Sequence, residues 1–126
     1  MKKVLIVIAD YYENISSSLL KSAKNNLENY SLKIIRVPGV FEVPITISKN
    51  IKKYDAFLDL GCVIKGETPH FDFISSASTQ AIMNLAIKSK KPIGNGIITC
   101  LNMKQAKARG KKGKEAAKAV ISVLSQ

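Results

Sequence analysis

The side chains best suited to chemistry gather in a few short stretches of this sequence. Gly66-Glu67-Thr68-Pro69-His70 ends in the only histidine of the chain, an imidazole able to accept or give a proton near neutral pH. Thr68 suits a helix N-cap and Pro69 the first helical position, so a helix is expected to begin here. The free N–H groups and positive dipole of such a start attract an anion, and Gly66 would let a phosphate approach the backbone closely. Phe41-Glu42 sets a flat ring beside a carboxylate, a pair able to stack on a polar heterocycle and accept hydrogen bonds from hydroxyls. Tyr11 offers a further ring, and Arg109 a planar fork that fits phosphate bidentately where Lys cannot. Each feature alone also has a plain structural reading: a capped turn, a surface His, a core Phe, an acid in a first helical turn. A triad of His70, Asp72 and Ser75 is set aside, because positions two apart on a helix do not face one another.

These residues sit between apolar, β-branched runs at residues 3–9, 32–37, 55–64 and 92–100, which read as strands. Segments of helical period separate them. Ile15, Leu19, Ala23 and Leu27 recur on one face of a first helix, residues 42–51 supply a second, and residues 71–88 a third. Ile74, Ala77, Ala81 and Leu85 are its expected buried stripe. Residues 103–109 and 114–124 read as two closing helices around the break from Gly110 to Gly113. Strand and helix in alternation imply a four-stranded parallel sheet covered on both faces, an α/β three-layer sandwich with function at the carboxyl ends of the strands. At 126 residues, without linker, repeat or low-complexity tract, one domain over residues 1–126 is expected.

Composition narrows the function classes. Hydrophobic residues make up 46% and charged residues 23%, which fits neither a disordered nor a membrane protein. The longest apolar runs fall far short of the roughly 20 residues of a membrane span. Asp10 interrupts the apolar run after Met1-Lys2-Lys3 too early for a secretory leader. Cys62 and Cys100 stand alone, so neither a disulfide framework nor a metal site is expected, and free thiols suit a reducing cytoplasm. The formal charge of +11 invites an anionic partner, and residues 104–118 hold seven basic residues against one acid. Only Arg36 and Arg109 are Arg, however, where a nucleic-acid reader would mix in Arg and aromatics. No nucleic-acid or membrane partner is expected.

Three ordered segments carry a family likeness. Pro38-Gly39-Val40-Phe41-Glu42-Val43-Pro44, then Gly61-Cys62-Val63-Ile64-Lys65-Gly66-Glu67-Thr68-Pro69-His70-Phe71-Asp72, then Gly94-Asn95-Gly96-Ile97-Ile98-Thr99 resemble the lumazine synthase family in content, order and spacing. Met103-Lys104-Gln105-Ala106 with Arg109, and Lys112-Gly113-Lys114-Glu115-Ala116-Ala117, resemble its last helices. The likeness covers nearly the whole chain. It implies a flavodoxin-like sandwich that condenses 5-amino-6-ribitylaminouracil with 3,4-dihydroxy-2-butanone 4-phosphate, without external cofactor or metal. Carried over residue by residue, the resemblance puts Tyr11 and Phe41 on the uracil ring, Glu42 on the ribityl chain, and Val63 and Ile64 along the pyrimidine pocket. Gly66, Glu67 and Thr68 would meet the phosphate and His70 would move protons. Asn95, Arg109 and Lys112 would reach in from a neighbouring subunit, making the site a property of a homo-oligomer.

Some features depart from the family pattern. The basic loop from Arg109 to Lys112 is shorter than usual, which leaves Lys111 and Lys114 as alternatives to Lys112. The sequence opens directly on its first strand, without the extension that many members pair with a neighbour, so assembly is expected to stop at a pentamer. Cys100-Leu101 stands where a more polar pair is usual. Other readings predict different behaviour: a basic nucleic-acid module predicts salt-dependent binding, and an inactive scaffold predicts no turnover. A flavin carrier would need a phosphate loop after the first strand, where Asp10-Tyr11-Tyr12-Glu13 is acidic.

Overall fold

A computed structural model describes residues 1–126. Four strands, β1 (Lys3–Ala9), β2 (Ser31–Val37), β3 (Ala56–Ile64) and β4 (Ile93–Cys100), form one parallel sheet in the order β2-β1-β3-β4. The chain steps outward from β1 to β2, then crosses back to β3 on the other side, so the crevice between β1 and β3 lies at the point where the winding reverses. In open α/β sheets that crevice is the usual ligand position. β1 and β3 are buried along almost their whole length, as central strands covered on both faces must be. The α/β sandwich expected from strand and helix alternation is the fold observed.

Five helices cover the sheet: α1 (Glu13–Lys24), α2 (Val43–Lys49), α3 (His70–Ser89), α4 (Met103–Lys107) and α5 (Lys112–Leu124). One layer joins α1, α4 and α5 to the sheet through Ile15, Leu19, Ala106, Ala116, Ala117 and Val120. The other joins α2 and α3 through Val43, Ile47, Ile74 and Ile82. In α1, Glu13 in the first turn and Lys21 and Lys24 in the last match the helix dipole. Small residues let α5 lie close to its neighbours: a Cβ at Gly113 would collide with the Leu19 carbonyl, and one at Gly94 with the Ala116 carbonyl. Lys90 closes α3 in the left-handed conformation at φ 60.

Several local expectations need correction. Leu27 is fully buried but lies beyond the end of α1. The second helical segment is split: a 3-10 turn over Val40–Glu42 precedes α2, which ends at Lys49. Pro69 is the cap of α3 rather than its first residue, and its carbonyl takes the Phe73 N–H. Thr68 Oγ1 accepts the His70 N–H at a long 3.4 Å. The buried stripe of α3 is Ile74, Ser78 and Ile82; Ala77 is exposed, while Ala81 and Leu85 are half-buried. Ser78 fits because its hydroxyl donates to the Ile74 carbonyl at 2.6 Å, which spares the layer an unpaired polar group. No helix is long and apolar enough to cross a membrane.

Candidate active site

Three turns at the carboxyl ends of β1, β2 and β3 converge on one cavity. The β1–α1 turn is held by Ser16, whose buried hydroxyl donates to the Ala9 carbonyl at 2.6 Å, and by the Asp10 N–H, which donates to the Val37 carbonyl. The Arg36 guanidinium meets the Asp10 carboxylate at 3.1 Å across the β1–β2 ends. Tyr11 is thereby left 75% exposed, its ring edge-on to Tyr12 with centroids 4.9 Å apart. In the 3-10 turn after β2, Val40 and Val43 are buried anchors, so Phe41 between them swings outward and is 74% exposed. β3 delivers Val63 and Ile64 at its end, and His70 opens α3.

The resulting cavity of about 280 Å³ is lined by Tyr11, Tyr12, Phe41, Val63, Ile64 and His70, with Cys62 and Ile74 beneath. It is mostly apolar and flanked by rings, which suits a flat heterocycle, and the lone imidazole sits on its wall. Burial pushes the Tyr12 phenol above its ordinary range, and the neighbouring Tyr11 and Cys62 act in the same direction. It therefore stays protonated and can donate. Burial likewise pushes the Cys62 thiol up to about 12, helped by the adjoining Cys100, so it is no nucleophile at neutral pH.

A second pocket, about 480 Å³, lies against β4 and the α4–α5 turn, lined by Asn95, Thr99, Arg109, Lys111, Lys112 and Glu115 with Ile97, Ile98 and Ala108. Local hydrogen bonds build it. Asn102 caps α4 by accepting the Gln105 N–H, and Gln105 returns its side-chain oxygen to the Leu101 N–H at 2.8 Å. α4 then hands the chain to Arg109. Lys112 Nζ stands 3.8 Å from a Glu115 carboxylate oxygen, an exposed pair that moderates the positive field only slightly. Arg109 and Lys111 are without such a partner. The two pockets have no lining residue in common.

The expected site residues thus fall into groups. Tyr11, Phe41, Val63, Ile64 and His70 meet in the apolar cavity; Asn95, Arg109 and Lys112 meet in the basic one. Glu42 is half-buried at the end of the 3-10 turn, one residue from the cavity wall, with its side chain toward Gly39. Gly66, Glu67 and Thr68 are exposed on the rim before α3 and line neither pocket. A Cβ at Gly66 would meet nothing within 4 Å, so that stretch presents open backbone to solvent. Tyr12, Cys62 and Ile74 were not expected in the cavity. Tyr12 stood beside Tyr11 in the sequence, and Cys62 directly before Val63, but neither chain position reveals which side of a strand end opens on a cavity.

Comparison with known proteins adds an independent line. The family model described as 6,7-dimethyl-8-ribityllumazine synthase matches residues 1–126. Proteins named 6,7-dimethyl-8-ribityllumazine synthase resemble the chain at similar levels. One from Rhodopseudomonas palustris is 40% identical across 97% of this chain and 83% of its own length. One from Agrobacterium fabrum is 40% identical across 96% and 91%. One from Bartonella tribocorum is 42% identical across 97% and 87%. With that likeness running from end to end, and with the sheet order and cavity position already described, the chain belongs to the 6,7-dimethyl-8-ribityllumazine synthase family.

Proposed function

We propose that this chain condenses 5-amino-6-ribitylaminouracil with 3,4-dihydroxy-2-butanone 4-phosphate, giving 6,7-dimethyl-8-ribityllumazine, phosphate and water. The observation that carries the reading is the apolar cavity at the β1–β3 crevice, lined by aromatic rings together with the only imidazole of the chain. Tyr11 and Phe41 stack on the uracil ring, Val63 and Ile64 offer backbone groups to its edge, and Glu42 takes hydroxyls of the ribityl chain. Asn95, Arg109 and Lys112 of a neighbouring copy close over the phosphorylated substrate, with Gly66, Glu67 and Thr68 at its entry.

The chemistry suits this modest equipment. The amine attacks the ketone, and water leaves as the imine forms. β-Elimination then expels phosphate and leaves an enol at the former hydroxyl carbon; its tautomerisation makes a new carbonyl, and ring closure of the ribitylamino nitrogen on that carbonyl expels water again. Each step moves a proton between atoms of the substrates, which His70 relays, while orientation of the reactants supplies most of the acceleration. Arg109 steadies the departing phosphate with paired charge-assisted hydrogen bonds.

The chain acts as one domain, residues 1–126, in a cytoplasmic homo-oligomer built from pentamers. The outer face of α3 supports association: Phe73, Met83 and Ile87, more than half exposed, share it and would lie in water on an isolated copy. The direct test mixes purified protein with both substrates and follows the fluorescent lumazine above the uncatalysed rate, with Arg109→Ala in parallel. Turnover reduced about tenfold to a hundredfold in the variant supports the reading; a folded oligomer with no rate above background overturns it.

A further inference from the structure

One ionisable group has no part in the reaction above. Asp59, in the middle of β3, is fully buried on the side of the sheet covered by α2 and α3. It lies directly opposite Asn95 of β4 in the strand register. Its Oδ1 accepts the Gly96 N–H at 3.0 Å, whereas its Oδ2 is buried without any partner. One residue further on, the Ile97 N–H donates to Asn95 Oδ1 at 3.0 Å. Asn95 itself is exposed and lines the basic pocket. A lone acid inside an apolar layer is costly, and the strand would be better packed with an apolar residue unless the carboxyl served something beyond the fold.

We infer that Asp59 is a positioning residue for Asn95: from inside the sheet it grips the stretch of β4 amides that also anchors the Asn95 side chain, and so sets where that amide points in the basic pocket. This rests on the substrate role proposed for Asn95. With Asn95 Oδ1 committed to Ile97, its NH₂ group is the part free to meet substrate, and any slack at Gly96 or Ile97 swings that group away.

The protonation state of Asp59 belongs to the same device. Burial raises its pKa to about 8, against the opposing pull of the Gly96 and Ile97 amides, so at neutral pH it is an uncharged acid. Val7 of β1 and Asn95 of β4 are its register neighbours, and the layer on its side of the sheet holds Ile97 of β4, Val43 and Ile47 of α2, and Ile74, Ser78 and Ile82 of α3, none of them charged. Above pH 8 a charge whose Oδ2 has no partner is buried in this apolar layer, a penalty that loosens the local packing of β3 against β4.

The test compares steady-state kinetics of the wild-type oligomer with Asp59→Asn, Asp59→Ala, Asn95→Ala and the Asp59→Ala/Asn95→Ala double variant. Asp59→Ala is expected to raise KM about tenfold with kcat kept within about twofold, and Asp59→Asn, which retains an acceptor, to restore KM. In the Asn95→Ala background, Asp59→Ala adds nothing further, because the two act as one unit. Wild-type KM rises above pH 8 and that of Asp59→Asn does not. Independent, multiplying effects of the two substitutions, or an unchanged KM in Asp59→Ala, overturn the inference while leaving the synthase reading intact. Absence of wild-type turnover overturns the synthase reading instead. Hydrogen exchange across residues 93–100 then decides the inference: faster exchange in Asp59→Ala with wild-type protection in Asp59→Asn supports it, and equal protection in all three sinks it.

Discussion

Ser22 of α1 donates its hydroxyl to the Gly110 carbonyl at 2.8 Å and takes the Lys114 N–H on the same oxygen at 2.9 Å. One small side chain thereby fastens the first helix to both ends of the turn that carries Lys111 and Lys112, 88 and 92 residues away in sequence. The link holds the turn from which Lys111 and Lys112 line the basic pocket. Ser22→Ala removes both bonds and is expected to cost about 1–2 kcal/mol, read as a lower midpoint in thermal unfolding. An unchanged midpoint would mean that water replaces the hydroxyl at no cost.

The α1–α5 seam tolerates even less. A methyl group at Gly113 runs into the Leu19 carbonyl, a backbone atom that cannot turn aside. Gly113→Ala is therefore expected to destabilise by about 1–3 kcal/mol despite the better helix propensity of Ala, which favours the variant by about 1 kcal/mol in an unhindered helix. Chemical denaturation measures the balance, and a stabilised variant would show that the helices separate freely.

Asp59 makes stability depend on pH in a definite direction. In the unfolded chain its carboxyl ionises near pH 3.9, whereas in the folded protein it holds its proton up to about 8. Folding takes up a proton between these values, so the group's contribution is intact below about pH 4 and lost progressively as pH rises towards 8. Asp59→Asn, neutral throughout, is expected to melt with the wild type near pH 4 and several degrees above it at pH 8. A constant gap across that range would contradict a buried neutral acid.

His70 is expected to assist rather than to be indispensable. His70→Gln should lower kcat by about tenfold to a hundredfold with substrate binding retained, since positioned proton transfer contributes on the order of 10²–10⁴ and the other cavity residues still orient the reactants. Complete loss of turnover at unchanged affinity would show that proton transfer, not orientation, dominates the barrier.

The sheet was legible because β1 and β3 are buried on both faces and so consist of nearly continuous apolar runs, which need no partner to be read. Helix faces were less legible. In α3 the apolar residues do not follow one stripe: Ala77 looked like core and is exposed, while Ser78 looked polar and is buried. Phe73, Met83 and Ile87 crowd the outer face, so an apolar count alone cannot tell which side meets the sheet. The chemistry-bearing residues were visible by type, whereas their division into two groups came only with the family likeness, because it depends on which layer each turn emerges from and residue type does not show that. Asp59 carries no signal of its own within an apolar strand. Its significance arises only from pairing with β4, a contact 37 residues away in sequence.

The two pockets of one chain, with His70 in one and Arg109 in the other, also bear on how damage spreads through an assembly. If each working site joins the His70 cavity of one copy to the Arg109 pocket of the next, chains crippled at His70 and chains crippled at Arg109 can rescue one another. Unfolded together and reassembled in equal amounts, they would form rings in which about one junction in four brings an intact cavity to an intact pocket. Each variant ring alone would contain none. Under that arrangement the fitness of a single copy would be a matter of its neighbours, and a partly mutated population would keep a predictable share of its activity.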